Sequence, residues 1–244
     1  MMKKLFVFSD VHSYFDALMD ALSDAGFDDN NEDHVLVSLG DLCDRGFQSR
    51  EVLSFINSFP EDRKICIIGN HELLMEDYIN RGFALSMDVL NGTVRTAISI
   101  SKEDDRVSDM KNNALWNNYK KSWRYYYEAD NYIFVHGWIP FKKDGEAFKD
   151  WREASRKDFE DATWVNGMKA WADGIRQENK TIFCGHWHTS WGHCHLHHDG
   201  VEFPEDEDDF AIFDPFIDEG IVALDACTAY TGKVNVYTVE VDSL

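Results

Sequence analysis

Apolar residues fall into two kinds of pattern along this chain. Short unbroken runs at Phe6–Phe8, Val35–Val37, Ile65–Ile68, Tyr132–Val135 and Thr181–Cys184 have the length and β-rich character of strands buried on both faces. Elsewhere apolar positions recur every three or four residues. Phe15, Leu18, Met19 and Leu22 predict a helix over Tyr14–Ala25 that stops at Gly26. Val52, Leu53 and Ile56 predict a second, capped by Ser49, running through Ser58 and closed by Pro60. The order β-α-β-α-β implies parallel strands joined by right-handed crossovers, and so an α/β fold.

From Leu73 to Asp130 the pattern changes. Met75, Ile79, Leu115, Trp116, Tyr119 and Trp123 fit helices, while Asn91-Gly92 and residues 101–109 read as loop. Residues 73–130 are therefore expected to form a helical insertion in one domain spanning 1–244. Its aromatics read as core or cap packing, because no basic patch accompanies them to form a base-stacking platform. Residues 146–176 are again mostly helical. Residues 221–225 and 233–241 read as two closing strands, antiparallel across a Thr-Gly turn.

The strand-like runs share one ending. Phe6–Phe8 leads to Ser9-Asp10-Val11-His12, and Val35–Val37 leads to Gly40-Asp41-x-x-Asp44-Arg45-Gly46. Ile65–Ile68 leads to Gly69-Asn70-His71-Glu72, Tyr132–Val135 to His136-Gly137, and Thr181–Cys184 to Gly185-His186-Trp187-His188. In open α/β sheets the C-terminal ends of strands are where ligands bind. Five such junctions carrying Asp, Asn and His, mostly beside a glycine that allows close backbone approach, point to one site assembled from loops on one sheet edge.

These motifs, in this order, resemble those of the calcineurin-like metallophosphoesterases. The pairing of Asp44-Arg45-Gly46 with Gly69-Asn70-His71-Glu72 is similar to the phosphoprotein phosphatase branch in its short bacterial and phage form. The resemblance implies a four-layer αββα metallophosphoesterase sandwich. It also implies two divalent cations that activate a bridging hydroxide and neutralise phosphoryl oxygens during in-line attack. Asp10, His12 and His188 resemble the ligands of one cation, Asn70, His136 and His186 those of the other, and Asp41 the bridge. A mixed oxygen and imidazole set without thiolate suits manganese, iron or zinc better than calcium. His71 takes the place of the general acid, with Asp44 either orienting it or forming a plain salt bridge. Arg45 offers a planar fork for phosphate oxygens, though an arginine there can also be structural.

The chain departs from the family pattern in places. Ile68 stands where an arginine often precedes Gly-Asn-His-Glu, so a second phosphate contact has to come from elsewhere, with Arg152 and Arg156 as candidates. Ser13 and Trp138 stand where the family has glycine. The run Gly192–His198 holds four histidines and one cysteine. Strand-like alternation would align His193, His195 and His197 on one face, either as an extra metal site or as an exposed hairpin that is merely histidine-rich.

Composition narrows the partners. The net charge of −21 repels phosphate backbones and argues against nucleic acid. Nine acids and no Lys or Arg lie between Val201 and Glu219, as in a solvated surface loop. Five cysteines without a Cys-x-x-Cys pair, two of them inside predicted strands, fit a reducing compartment. The apolar run after Lys3-Lys4 is too short for a signal-peptide core, and no run reaches membrane-spanning length. The expectation is a cytoplasmic phosphatase acting on phosphomonoesters, with Ser/Thr phosphoprotein among its substrates. A dinucleoside-polyphosphate hydrolase of diadenosine tetraphosphatase type is the alternative in the same chemistry. A catalytically silent metal-binding interaction protein is the alternative from another class. No oligomeric state is legible.

Overall fold

The computed structural model describes residues 2–101, 106–142 and 148–242. In chain order the elements are β1 (Lys3–Phe8), α1 (Phe15–Asp24), β2 (His34–Ser38), α2 (Ser49–Ser58), β3 (Lys64–Ile67), α3 (Asn70–Arg81), α4 (Ser86–Asn91), α5 (Thr93–Ile100), α6 (Arg106–Asn112), α7 (Ala114–Lys121) and β4 (Trp123–Arg124). Then come β5 (Tyr127–Ala129), β6 (Tyr132–Phe134), α8 (Arg156–Ala162), α9 (Gly167–Ala172), β7 (Thr181–Cys184), α10 (Thr189–His195), β8 (Phe216–Asp218), β9 (Ile221–Ala223), α11 (Thr228–Thr231) and β10 (Val236–Val241).

The strands make two five-stranded sheets, ordered β10-β1-β2-β3-β4 and β5-β6-β7-β9-β8. Side chains alternate across a strand, so each strand serves two cores. Phe6, Phe8, Leu36 and Cys66 face the helices, packing with Leu18, Leu22, Val52, Met75 and Trp116. Their neighbours Leu5, Val7, Val35, Val37 and Ile67 face the second sheet and meet Phe134, Phe183, Val222 and Leu224. That sheet's other face, Ile133, Val135, Ile182 and Ala223, is covered by Trp151, Phe159, Met168 and Trp171. The unbroken apolar runs are thus strands sandwiched on both sides, in helix, sheet, sheet, helix order. All five cysteines are free, and Cys43, Cys66 and Cys184 are buried. Among the described residues no helix is long and apolar enough to cross a membrane.

Several local expectations need correction. Trp123 is not helical: it opens β4, which adds a parallel edge strand beside β3, with Cys66 opposite Trp123. Its ring still packs edge-on against Trp116 and Tyr119, the same apolar demand that a helix would have met. Within the stretch expected as loop, residues 102–105 lie outside the described residues and Arg106 starts α6; Glu146 and Ala147, the first residues of the mostly helical stretch expected over 146–176, likewise lie outside them. Ser49 is the first helical residue of α2 and not its cap, buried and bonded through its hydroxyl to Ser13 at 2.7 Å. The two closing strands do not pair. β9 lies parallel to β7 in the second sheet, whereas β10 runs antiparallel along the free edge of β1 in the first, with α11 carrying the chain across. The edge of β1 needs a hydrogen-bonded partner, and Val239 and Val241 gain burial in the inter-sheet core by supplying it. Finally, His193 and His195 lie on α10, not on a strand, because Trp191 and Leu196 are drawn into the second helix-facing core.

Candidate active site

Parallel pairing brings the C-terminal ends of β1, β2 and β3 side by side in one sheet, and those of β6, β7 and β9 in the other. The loops that follow are packed closely. A side chain at Gly69 would place its Cβ 2.1 Å from Asp41 Oδ1 and 2.6 Å from Asp41 N, so only glycine lets the loops after β2 and β3 touch. Asp10, His12, Asp41, Asp44, Arg45 and His186 all hold positive φ angles of 48–71°, the left-handed region that non-glycine residues avoid. Strain of this kind persists only where surrounding bonds over-determine it, and here it clusters on the residues singled out by the sequence motifs.

Those bonds can be traced. Glu72, buried at the start of α3, accepts the backbone N–H groups of Asp41 (2.9 Å) and Gly69 (2.8 Å) on Oε2, and that of Leu42 (3.0 Å) on Oε1. The Tyr119 hydroxyl donates to the same carboxylate at 3.1 Å. Asp41 accepts the His71 N–H at 2.9 Å. Asp10 accepts the His186 N–H at 2.9 Å and the Ser9 hydroxyl, tying the first sheet to the second.

The imidazoles are oriented from behind. His12 directs Nδ1 to the Cys43 carbonyl at 3.0 Å, and His136 directs Nδ1 to the Leu39 carbonyl at 2.7 Å. Each then turns Nε2 toward Asp41, at 3.9 Å and 3.5 Å. His136 Nε2 also lies 2.9 Å from Asn70 Oδ1. Two groups of three donors result, His12–Asp41–His71 and Asp41–His136–His186, and within each the ligand atoms lie within 4.8 Å of one another. Asp41 belongs to both. Asp10 sits beside the first, with Oδ1 3.9 Å from His12 Nε2.

Burial and close acid–imidazole pairing shift the ionisation of this site. Burial raises the Asp10 pKa, and the neighbouring Asp41 adds to the rise, though His136 opposes it. Burial also works against an ionised Asp41, yet His136, His71 and His12 outweigh it and hold that carboxyl well below its ordinary range. Burial disfavours the charged form of His136 too, but Asp41 and then Asp10 lift it to about 10. His186, desolvated and facing His136, is pushed down to about 4 and stays a neutral donor. An oxygen-and-imidazole donor set with Asp41 in both groups fits two divalent ions.

His71 has a further partner. Its Nδ1–H donates to Asp44 Oδ2 at 2.8 Å, while Nε2 lies 4.0 Å from Asp41 Oδ2. Burial lowers the His71 pKa, but Asp41 and the Asp44 bond overcome it and raise the group. Asp44 is itself fixed by the hydroxyls of Thr93 and Thr96, each at 2.8 Å. Arg45 is exposed, and its guanidinium makes no ion pair among the described residues.

Not every sequence candidate converges. His188 turns aside: Nδ1 meets Ser190 Oγ at 2.9 Å, Nε2 lies 3.3 Å from Glu202, and Phe203 packs on the ring at 4.7 Å. Glu202 also takes His195 at 2.9 Å. His193 and His197 bond to the Asp214 carbonyl and to Asp218, so the histidine-rich run is spread over several partners. Arg152 is gripped by Glu128 and Asp150, away from the metal-ligand residues. Arg156 instead shares with Ile68 a cleft of about 520 Å³, whose wall includes Trp164, edge-on to His186 at 5.8 Å. Sequence reading missed the tie made by Glu72, the Thr93 and Thr96 support and the Asp225 carboxylate. Glu72 did stand in the Gly69–Glu72 motif, and Asp225 closed a predicted strand, but neither was given a role; Thr93 and Thr96 left no signal.

Known proteins bear on this geometry. A family model described as calcineurin-like phosphoesterase matches residues 3–215. The symmetrical bis(5'-nucleosyl)-tetraphosphatase of Buchnera aphidicola is 41% identical over 64 residues, 26% of this chain and 22% of that protein. The corresponding protein of Colwellia psychrerythraea is 38% identical over 69 residues, 28% and 23%. Each match therefore spans less than a quarter of the curated relative. Among solved structures, a candidate diadenosine tetraphosphatase superposes with a TM-score of 0.54 at 14% identity, covering 99% of this chain and 94% of its own. A yeast (Saccharomyces cerevisiae) protein serine/threonine phosphatase with similarity to human PP5 gives 0.51 at 18% identity, over 76% and 61%. A cold-active protein-tyrosine phosphatase of a Shewanella species gives 0.55 at 16%, over 95% and 74%. At these identities the structural likeness speaks to fold alone.

Proposed function

This chain belongs to the calcineurin-like phosphoesterase family, and from that premise we propose that it is a dinuclear metal-dependent phosphatase that hydrolyses phosphomonoesters, Ser/Thr phosphoprotein among them. The observation that carries this reading is Asp41, shared by two groups of metal donors and flanked by the His71–Asp44 pair. Asp10, His12 and Asp41 would hold one cation and Asp41, Asn70, His136 and His186 the other, with manganese the first choice for a donor set of this kind. Two such ions, when bound, supply an activated water and neutralise charge on the phosphoryl group.

The chain's own side chains divide the remaining work. His71, fixed through Nδ1–H to Asp44, presents Nε2 toward the site and donates a proton to the leaving oxygen. Asp44 keeps the ring in one tautomer and favours its charged form. Arg45, whose guanidinium makes no ion pair among the described residues, would bracket phosphoryl oxygens of the substrate. The αL backbone at Asp44 and Arg45 aims the two side chains from one tight turn.

A dinucleoside-polyphosphate substrate is the second reading, favoured by the tetraphosphatases matched over a quarter of the chain. The cleft beside the site supports it as well, since Trp123, Tyr125 and Trp164 line it and suit a stacked base. A manganese-loaded assay comparing p-nitrophenyl phosphate, a phosphopeptide, diadenosine tetraphosphate and a bis-ester separates the readings. Preference for diadenosine tetraphosphate by kcat/KM selects the second reading, and turnover of the bis-ester alone overturns both. Asp41→Asn is expected to lose both bound metal and activity. Full activity after chelator stripping, or no transition metal in active protein, sinks the dinuclear proposal.

A further inference from the structure

A further strand end at this edge is that of β9. β9 pairs parallel with β7, with Ala223 opposite Cys184. His186 follows the end of β7 by two residues and Asp225 follows the end of β9 by two, and both line one cavity. Asp225 is 7% exposed, and it walls a cavity of about 230 Å³ together with His12, Arg45, His186 and His188. Its segment is held firmly. Cys227 N–H donates to Asp225 Oδ1 at 2.7 Å, Thr189 N–H donates to its carbonyl at 2.9 Å, and the Thr228 hydroxyl donates to the Asp10 carbonyl at 2.7 Å. Among the described residues the carboxylate has no cationic side chain in ion-pair contact.

An acid in this place needs a reason. Burying a carboxylate is costly, the Arg45 guanidinium on the same cavity offsets that only from beyond ion-pair distance, and Asp225 adds a third acid to the side where Asp10 and Asp41 already lie. The imidazole expected on that side is committed elsewhere, with both ring nitrogens of His188 satisfied by Ser190 and Glu202 and its face covered by Phe203. The first group of donors is thus short of one partner where an unpaired carboxylate waits.

We propose that Asp225 is a further carboxylate of the metal centre, serving the cation held by Asp10, His12 and Asp41 in the place that the sequence motif gives to His188. This rests on the dinuclear reading. Asp225 acts there directly or through one metal-bound water, and in either case it adds an oxygen donor where His188 turns away. His188 with Glu202 then belongs to the wall of the cavity.

The test is cation binding by the whole chain, independent of turnover. Metal-free wild type, Asp225→Asn and His188→Ala are titrated calorimetrically with Mn²⁺, and the bound metal is counted by elemental analysis. Wild type should take up two ions. Asp225→Asn should bind one of them about 10- to 100-fold more weakly, the range found when a supporting carboxylate is removed, and leave the other unchanged. His188→Ala should bind both as wild type does. The spin-coupled Mn²⁺ pair signal should fade in Asp225→Asn at metal concentrations that saturate wild type. Asparagine can still accept the Cys227 N–H, so the fold is kept, and Asp225→Ser gives a second, smaller replacement with an acceptor. Wild-type affinities in both Asp225 variants would overturn the proposal. So would loss of one ion in His188→Ala alone, or an equal loss at both positions together with a lower metal-free melting temperature, which marks a merely structural residue. Failure of wild type itself to bind two ions would overturn the dinuclear reading, a result distinct from any of these.

Discussion

The backbone N–H of Asp41 donates to Glu72 Oε2 at 2.9 Å, and the Gly69 N–H donates to the same oxygen at 2.8 Å. One carboxylate on α3 therefore sets the spacing between the loop carrying Asp41 and the loop carrying Asn70 and His71. The glutamate of Gly-Asn-His-Glu needs no contact with substrate to matter. It fixes the place of the residue shared by both metal positions.

Glu72→Gln tests that role. The amide can accept on one side only, and its NH₂ faces backbone donors or the Tyr119 hydroxyl on the other, leaving buried groups unsatisfied. The loss should be about 3 kcal/mol, or roughly 6–12 °C in Tm for a chain of this size. Metal affinity should fall at both positions together, since Asp41 serves both. A melt within 2 °C or so of wild type by differential scanning calorimetry would show that the loops hold their spacing without this carboxylate.

His71→Asn separates proton transfer from metal binding. If His71 protonates the leaving oxygen, alkyl phosphates should slow by roughly 10²- to 10⁴-fold. Aryl phosphates with acidic leaving groups should lose less, and bound metal should stay at its wild-type count. Asp44→Asn should follow the same leaving-group pattern more mildly, because it removes the charge holding Nδ1–H while the amide can still bond Thr93 or Thr96. Equal losses across leaving groups in stopped-flow and steady-state assays would give His71 a purely positioning role.

What was legible in the sequence follows from locality. Asp10, Asp41, Asn70, His136 and His186 each sit within three residues of a buried strand, so a short apolar run, in most cases with a glycine beside it, announces them. The α/β order is equally readable from runs such as Phe6–Phe8, whereas the four-layer sandwich was implied only by the resemblance of the motifs. Long-range choices left no such trace. Two residues at Trp123–Arg124 are too few for strand periodicity, and their placement depends on the open edge of β3. The pairing of β10 with β1 joins opposite ends of the chain, which a short connection between 225 and 233 disguises. His188 matches the motif in spacing but not in direction, because its partner Glu202 comes from an acidic loop that reads only as solvated surface. The φ angles at Asp44 and Arg45 depend on bonds from α4 and α5.

Ile68→Arg asks whether phosphate is gripped too weakly. Ile68 is 5% exposed, but it borders the cleft that also holds Arg156, so a longer side chain has open space ahead of it. The cations already lining that cleft are largely neutralised, Lys120 by Glu76, Arg156 by Glu160 and Lys157 by Asp161. A new guanidinium there should lower KM for phosphomonoesters with kcat retained and the Tm little changed. An unchanged KM in a normally melting variant would mean that another residue already provides the second contact. A large drop in Tm would mean that the new charge is buried unpaired.

The last prediction concerns how Arg45 is aimed. Gly92, between α4 and α5, holds φ at +91°, and a Cβ there would come within 2.5 Å of Arg45 N and 3.1 Å of Arg45 Cα. The preceding carbonyl, that of Asn91, accepts the Arg45 N–H at 3.0 Å. Gly92→Ala must therefore push the Arg45 backbone away while also straining its own, at a cost of about 1–3 kcal/mol for the non-glycine αL conformation. The displaced guanidinium should raise KM for phosphomonoesters, in the same direction as Arg45→Ala but to a smaller degree. Leaving-group dependence should stay as in wild type, because His71 is anchored through Asp44, Thr93 and Thr96. Steady-state kinetics on paired alkyl and aryl substrates reads both effects at once. If Gly92→Ala lowers Tm but leaves KM unchanged, Arg45 does not depend on this joint for its aim; if it changes leaving-group dependence instead, α5 positions the His71–Asp44 pair and not the arginine.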